Sequence, residues 1–86
     1  MSDYAITFSR TARKELEEIS AAMVKRIFPK IERLSREPRP VGCRKLVGEG
    51  NLWRIRVGDY RVLYSIDDEK ESLDIIAIRH RSKAYE

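Results

Sequence analysis

The stretch from residue 52 to residue 64 most constrains the fold, because its pattern is typical of a β-hairpin. Two arms rich in aromatic and β-branched residues alternate in polarity on either side of Gly58-Asp59. Glycine at the first position of a two-residue turn provides the positive φ that such a turn requires. Two loop residues also set the register of the arms. The sequence therefore predicts five facing pairs, which are Val57–Tyr60, Arg56–Arg61, Ile55–Val62, Arg54–Leu63 and Trp53–Tyr64.

This register gives the hairpin two unlike faces, because successive residues of a strand point to opposite sides of the sheet. One face is apolar and suits a hydrophobic core; it carries Trp53, Ile55, Val62 and Tyr64. The other face is basic, and we expect it to be the open side of the sheet, with Arg54, Arg56 and Arg61. Arginines directly opposite each other cost about 0.2–1 kcal/mol, whereas a bound polyanion would make the same charges favourable. The alternative is an ordinary solvated face, on which arginine stems cover an apolar neighbour such as Leu63.

The length and charge of the chain indicate one folded domain. The 86 residues suffice for a single domain, residues 1–86, whose core folds alone. The charged fraction is 37% and the hydrophobic fraction is 42%, which is typical of a soluble globular chain rather than a disordered one. The net charge of +4 favours nucleic acid, the ribosome or an acidic protein as partner, although such a charge also serves solubility.

The single cysteine and the single histidine limit the chemistry that the chain can perform. Cys43 cannot form an internal disulfide, and one Cys with one His does not suit a zinc site. The N-terminus lacks the apolar segment of a signal peptide, and no apolar run is long enough to cross a bilayer. We therefore expect a cytoplasmic protein with no membrane partner, no metal site and no cofactor.

Periodicity on both sides of the hairpin predicts an α+β fold. The predicted elements, in chain order, are a strand at 3–8, a helix capped by Ser9, a helix capped by Ser20 with a kink near Phe28, a connector at 37–42, a short strand within 43–47, the hairpin and a last strand at 72–79. The prediction is an N-terminal strand and a helical hairpin, followed by a three- to four-stranded antiparallel sheet that packs one face on the helices.

The basic face of the hairpin and the end of the last strand together predict a site for a phosphodiester. If that strand pairs with residues 60–66, Arg81 and Tyr85 come close to the hairpin arginines. Guanidinium groups bind phosphate oxygens bidentately and stabilise the charge that grows on them during displacement. The acidic residues at 67–69, which could bind Mg²⁺, lie at the opposite end of the strand. Without a metal, the natural reaction is attack by an RNA 2′-hydroxyl on its own phosphate.

Such a cleavage needs a base, and arginine is a poor one because it stays protonated. Two candidates are Tyr85, whose phenolate form the surrounding arginines would stabilise, and His80. The alternatives are that Tyr85 stacks on an RNA base without moving a proton and that His80 packs or hydrogen-bonds at a strand end. The residues alone leave these alternatives open.

Four motifs resemble the RelE/ParE toxin superfamily, and the likeness covers nearly the whole chain. They are Arg44-Lys45-Leu46, Trp53-Arg54-Ile55-Arg56, Asp59-Tyr60-Arg61-Val62-Leu63-Tyr64 and His80-Arg81-Ser82-Lys83-Ala84-Tyr85. The hairpin motif is shared across the superfamily, whereas the ending resembles the RelE branch. The resemblance implies a toxin of a type II toxin–antitoxin module with the RelE-like, microbial-RNase-like fold. It also implies a ribosome-dependent, metal-independent endoribonuclease that cuts mRNA in the A site and so inhibits translation.

The resemblance further implies roles for individual residues. The family's basic strand pair falls on Arg54 and Arg56, its phosphate-stabilising arginine on Arg61, its second-strand arginine on Arg81 and its tyrosine on Tyr85. The expected catalytic residues are therefore Arg56, Arg61, Arg81 and Tyr85. The expected RNA-binding residues are Lys45, Arg54, Arg56, Arg61 and His80. The best-known RelE proteins have lysines at the basic strand pair, where a lysine is implicated in proton abstraction; arginine is unsuited to that role, so we expect Tyr85 to be the base.

The implied partners follow from the same resemblance. They are a cognate acidic antitoxin of the RelB type, the ribosome and mRNA, in a toxin–antitoxin complex that is oligomeric and binds operator DNA through the antitoxin. Two alternatives are a ParE-like inhibitor of DNA gyrase and a ribosome- or RNA-binding module that cuts nothing. The ensemble of Arg61, Arg81 and Tyr85 argues against the gyrase alternative, because gyrase poisons of this superfamily generally lack it.

Overall fold

A five-stranded sheet and two helices make up the described part of the chain, residues 3–48 and 50–83 of a computed structural model. The elements, in chain order, are β1 (Ala5–Phe8), α1 (Arg10–Glu17), α2 (Ala21–Arg33), β2 (Arg44–Lys45), β3 (Leu52–Val57), β4 (Tyr60–Asp67) and β5 (Ser72–His80). This α+β architecture confirms the predicted fold class. The strand expected within 43–47 is confined to two residues.

The sheet has the strand order β1-β5-β4-β3-β2. Strands β2 to β5 pair antiparallel with their neighbours in the chain, as the sequence predicted. Strand β1 adds to them by parallel pairing with β5, from Ala5 opposite Ser72 to Phe8 opposite Ile75. The sheet is therefore mixed and larger than the predicted antiparallel sheet, because the N-terminal strand joins it at the β5 edge.

Both helices begin at the serines that the sequence predicted as caps. The Ser9 hydroxyl accepts a hydrogen bond from Ala12 N at 3.0 Å, and the Ser20 hydroxyl accepts one from Met23 N at 3.3 Å. Helix α2 continues past Pro29 to Arg33, so this proline does not end the helix. No helix among residues 3–48 and 50–83 is both long and apolar enough to cross a membrane.

The core lies between the helices and the apolar face of the hairpin. Its buried side chains are Ala12, Ile27, Ile31, Leu34, Ile55, Val57, Val62, Tyr64, Ile66, Leu73, Ile75 and Ile78. Trp53 is half-buried and packs against this cluster. Each fully buried isoleucine or leucine contributes about 1.5–3 kcal/mol. The predicted apolar face of the hairpin is thus confirmed, and its burial holds the opposite, basic face outward.

The hairpin has the predicted register in all five pairs, from Val57 opposite Tyr60 to Trp53 opposite Tyr64. Gly58 has φ +59°, which is the positive value expected at the first turn position. The turn lies under α2, because a Cβ at Gly58 would be 3.1 Å from Met23 Cε and 3.2 Å from Arg26 Nη2.

The connector between α2 and β2 is tied to the sheet by a buried phenol. The Tyr64 hydroxyl donates to Pro38 O at 2.7 Å, and the ring is fully buried. Burial raises the pKa of Tyr64 well above its usual value, so this phenol stays a hydrogen-bond donor at neutral pH.

A second tie joins the connector, the N-terminus and the β4–β5 turn through Asp68. Arg39 contacts both carboxylate oxygens, with Nη2–Oδ2 at 2.8 Å and Nη1–Oδ1 at 3.3 Å, and the Tyr4 hydroxyl donates to Oδ1 at 2.7 Å. The Arg39 guanidinium also lies over the Trp53 ring, 4.9 Å from its centroid. Hydrogen bonds from Arg39 and then from Tyr4 hold the pKa of Asp68 below its ordinary value.

Gly58→Ala is expected to destabilise the protein by about 1–2 kcal/mol, because an L-residue is strained at this positive φ. The matched control is Asp59→Ala, at the turn position whose φ is not positive; we expect a change within about 0.5 kcal/mol. Urea unfolding measures both. A Gly58→Ala protein as stable as the wild type would contradict the turn described here.

Asp68→Asn is expected to make stability less sensitive to acid. The unfolded carboxyl binds a proton more readily than the folded one, so its contribution is present above about pH 4 and is lost as the pH falls through the lower folded pKa. The urea midpoint is measured at about pH 6 and at about pH 3. Its decrease between the two pH values should be larger in the wild type than in Asp68→Asn. Glu69→Gln, a neighbouring exposed site, is the control; an equal fall in all three proteins would count against the Asp68 contacts.

Candidate functional site

Three arginines form a row across the sheet on the face opposite the core. Arg56 of β3 faces Arg61 of β4, and Arg61 faces Arg79 of β5. A second pair lies beside this row, where Arg44 of β2 faces Arg54 of β3. We call Arg56, Arg61 and Arg79 the arginine row. Three guanidinium groups on adjacent strands make such a row suited to an anion.

A one-residue bulge in β5 places Arg79 in the arginine row. Leu63 faces Ala77 whereas Tyr64 faces Ile75, so Ile76 is an extra residue without an opposite partner in β4. The bulge shifts the side-chain alternation of the strand. Before it, Leu73 and Ile75 point into the core; after it, the odd-numbered Arg79 lies on the basic face.

A groove of about 500 Å³ crosses this face. It is lined by Arg44, Lys45, Leu46, Val47, Leu52, Arg54, Arg56, Leu63, Ile76, Ala77 and Arg79. The lining combines apolar side chains of the central strands with cationic side chains. Such a surface suits a ligand with both anionic groups and flat apolar rings, which is the combination that a single-stranded nucleic acid presents.

The prediction that the hairpin arginines form an open face is wrong for two of them. Arg54 is 3% exposed and Arg61 is 7% exposed, whereas Arg56 is exposed. Arg54 and Arg61 lie between neighbours on both sides, and Arg61 also bends back over the turn, where Nη1 lies 3.2 Å from Tyr60 O and 3.4 Å from Gly58 O. Long side chains on inner strands are therefore covered by adjacent side chains even when the face itself is not covered by a helix.

The two C-terminal arginines have different surroundings. Arg79 is part-buried, and its Nε donates to Glu15 Oε2 at 2.8 Å. Arg81 follows the end of β5 and is exposed; its backbone N donates to Asp59 O at 2.7 Å, and its Nε lies 3.9 Å from Asp59 Oδ1. Arg81, one of the four predicted catalytic residues, thus lies at the hairpin turn, beyond the row that contains Arg79.

The remaining predicted residues are spread over different positions. His80 faces Tyr60 on the core side of the sheet, with ring centroids 5.5 Å apart and planes at 88°. Its Nδ1 accepts a hydrogen bond from Ser82 N at 3.3 Å. Lys45 is exposed on β2 and lines the groove. Tyr85, the predicted base, lies outside the described residues.

The described residues bring cationic side chains together on this face of the sheet. Within residues 3–48 and 50–83, no three His, Cys, Asp or Glu side chains are grouped so that they could hold a metal ion. The arginine row can bind phosphate oxygens and stabilise negative charge on them.

A family model described as "ParE toxin of type II toxin-antitoxin system, parDE" matches residues 6–85. The chain belongs to this toxin family. Two curated Mycobacterium tuberculosis proteins refine the assignment. Toxin RelG is 39% identical in an alignment 89 positions long that covers 95% of each chain. Toxin RelE is 38% identical in an alignment 92 positions long that covers 99% of this chain and 92% of that one. The protein is therefore a RelE-like toxin.

Solved structures of RelE-like toxins share the fold. The archaeal RelE-RelB complex from Pyrococcus horikoshii matches with a TM-score of 0.82 at 30% identity, over 95% of this toxin and 99% of that chain. The RelBE2 toxin–antitoxin complex from Mycobacterium tuberculosis matches with a TM-score of 0.81 at 32% identity, over 92% and 99%. The likeness extends over almost the whole toxin in both cases.

Sequence reasoning missed Arg79, Arg44 and Glu15 as members or neighbours of the toxin's basic face. A signal for Arg79 was present in the last strand, where apolar residues run without alternation from Ile75 to Ile78. Such a run is compatible with a bulge, but its position is set by pairing with β4. Arg44 and Glu15 reach the site only through β2 pairing and α1 packing, which no local pattern shows.

Proposed function

We propose that this RelE-like toxin is a ribosome-dependent, metal-independent endoribonuclease that cleaves mRNA in the A site. The observation that carries the proposal is the arginine row, in which Arg56, Arg61 and Arg79 face one another on three adjacent strands. A phosphodiester brought against this row would place its negative charge beside three guanidinium groups on neighbouring strands.

The proposed chemistry is transfer of the phosphoryl group within the RNA. The 2′-hydroxyl loses its proton to a base, and its oxygen attacks the adjacent phosphorus. The bond from phosphorus to the 5′-oxygen breaks, and that oxygen takes up a proton. The products are a 2′,3′-cyclic phosphate and a 5′-hydroxyl. The arginines stabilise the extra negative charge that the phosphate oxygens carry in the transition state.

Arg61 and Arg79 are the groups best placed to bind the scissile phosphate. Arg61 is the middle member of the row and Arg79 is its neighbour on β5. Each is partly or fully shielded from solvent, where a charged hydrogen bond is stronger than in water. Arg56 is exposed at the end of the row and extends the contact to the neighbouring part of the RNA. Arg81 adds positive charge at the hairpin turn.

The proposal assigns the base to Tyr85, because the arginines stay protonated and His80 lies on the other side of the sheet. Arg54 and Lys45 bind the RNA along the groove. His80 contributes to RNA binding only around the end of β5. A tyrosine base with no metal would cleave free RNA slowly. The ribosome would raise the rate by holding the 2′-hydroxyl of the message in line for attack on the phosphate.

A cognate antitoxin is the second part of the proposal. Two solved relatives are complexes named RelE-RelB and RelBE2, and each contains a toxin with the fold described here. The sequence has a net charge of +4, so an acidic antitoxin segment is complementary to it. We propose that this antitoxin covers the basic face, and that the complex is oligomeric and binds operator DNA through the antitoxin.

Inhibition of DNA gyrase is the second candidate function. The family model that matches residues 6–85 is named for the ParE toxin, and this observation favours the candidate. The cleavage experiment separates the two functions, since a gyrase inhibitor would arrest growth without cutting a message on the ribosome.

Primer extension on a defined message paused on purified 70S ribosomes tests the proposal. The wild type should cut only in the A-site codon. Arg61→Ala should lower the cleavage rate about 10²–10³-fold through loss of charge stabilisation, and Tyr85→Phe about 10²–10⁴-fold through loss of the base. Free RNA should not be cut at a comparable rate.

Arg10→Ala, at the exposed start of α1, is the control and should cut as the wild type does. Because Arg61 is buried, circular dichroism and the melting temperature must show that Arg61→Ala is folded. A wild-type protein that arrests growth but cuts no message would contradict the endonuclease proposal, and inhibition of gyrase supercoiling would then support the second candidate.

A further inference from the structure

Glu15 of α1 binds two groups on β5 at once. Its Oε1 accepts a hydrogen bond from Ile78 N at 2.9 Å, and its Oε2 accepts one from Arg79 Nε at 2.8 Å. The Glu15 side chain is 23% exposed and the Arg79 side chain is 35% exposed. One carboxylate thus joins a helix to both the backbone and the side chain of the strand that carries Arg79.

The chain path explains why a helical carboxylate reaches this strand. Strand β1 pairs with β5 only as far as Phe8 opposite Ile75. The next residue, Ser9, bonds to the following part of β5 through its N to Ile75 O and its hydroxyl to Ile76 O, and it also caps α1. Helix α1 therefore runs beside the second half of β5, and Glu15 occupies the place of a neighbouring strand.

The carboxylate of Glu15 binds the guanidinium group of Arg79 only at Nε. Glu15 bonds to Nε, so it does not use the two terminal nitrogens that form a bidentate contact with phosphate oxygens. Arg61 faces Arg79 from β4, whereas Glu15 approaches Arg79 from the other side of β5. The Glu15 carboxylate supplies a counter-charge to Arg79 and fixes the direction in which the Arg79 side chain extends.

We propose that Glu15 is a positioning residue for phosphate binding by Arg79. The inference rests on the proposed function and deepens it, since it names a residue on a helix that orients a member of the arginine row. Glu15 itself does not touch the RNA. It acts by fixing the direction of the Arg79 side chain in the absence of substrate, so that this member of the arginine row is positioned before the phosphate arrives.

A purely structural role for Glu15 would be to satisfy Ile78 N at the edge of the sheet. Glu15→Gln separates the two roles, because an amide has a single acceptor oxygen where the carboxylate has two, and it carries no charge. The amide can keep the bond to the backbone N–H, but it cannot also hold the guanidinium as the carboxylate does. Glu17→Gln makes the same chemical change at an exposed position of the same helix and is the matched control.

Single-turnover cleavage on programmed 70S ribosomes is measured over a range of toxin concentrations. Glu15→Gln should lower the cleavage rate at saturation about tenfold, because a misdirected guanidinium loses transition-state stabilisation. The half-saturating concentration should change less than about twofold, since the other basic residues still bind the ribosome and message. Glu17→Gln should match the wild type in both quantities.

Nuclear magnetic resonance of the side-chain Nε–H of Arg79 gives a readout that does not depend on activity. The signal is identified by its loss in Arg79→Lys. In the wild type and in Glu17→Gln, the bonded Nε–H should exchange slowly with water, and in Glu15→Gln it should exchange at least about tenfold faster.

In one outcome the wild type cuts the message while Glu15→Gln shows the same cleavage rate and the same Nε–H exchange as the wild type. This result would overturn the positioning role of Glu15 and leave the proposed function intact. A loss of activity explained by a lower melting temperature, with the Nε–H signal intact, would also overturn that role. A wild-type protein that cuts nothing on the ribosome would instead overturn the proposed function, and the role of Glu15 with it.

Discussion

The structure depends first on the two-residue turn at Gly58-Asp59. With Gly58 at a positive φ, the turn sets a register in which Ile55 and Val62 face the core while Arg56 faces Arg61. A slip by one residue would exchange the two faces and expose the core. Burial of the apolar face therefore also fixes which side chains face one another on the basic face. This coupling explains how a small domain holds Arg56 opposite Arg61.

The bulge at Ile76 extends this arrangement to a third strand. Without an extra residue, the side chains at 75 and 79 would lie on one face, so Arg79 would point toward the core or Ile75 would point away from it. With it, Ile75 is fully buried and Arg79 lies beside Arg61. A local departure from regular pairing thus serves packing and the basic site at the same time, as is common for bulges near functional sites.

Local patterns predicted much of this molecule, and long-range packing determined the rest. The hairpin register and the two serine caps follow from residues adjacent in sequence, and the structure has them as predicted. The burial of Arg54 and Arg61, the parallel addition of β1 and the contact between Glu15 and Arg79 depend on segments far apart in the chain. Periodicity carries no information about such contacts. For the same reason the sequence predicted Arg81 as the last-strand arginine of the site, whereas the strand pairing places Arg79 opposite Arg61.

The most direct test of the account compares these two arginines in one assay. Single-turnover cleavage of a message on programmed 70S ribosomes would be measured for wild type, Arg79→Ala and Arg81→Ala. If the arginine row binds the scissile phosphate, Arg79→Ala should lose about 10²-fold or more in rate, and Arg81→Ala, whose side chain is exposed at the turn, should lose less than about tenfold. Equal losses, or a larger loss in Arg81→Ala, would contradict the assignment of the row as the phosphate site.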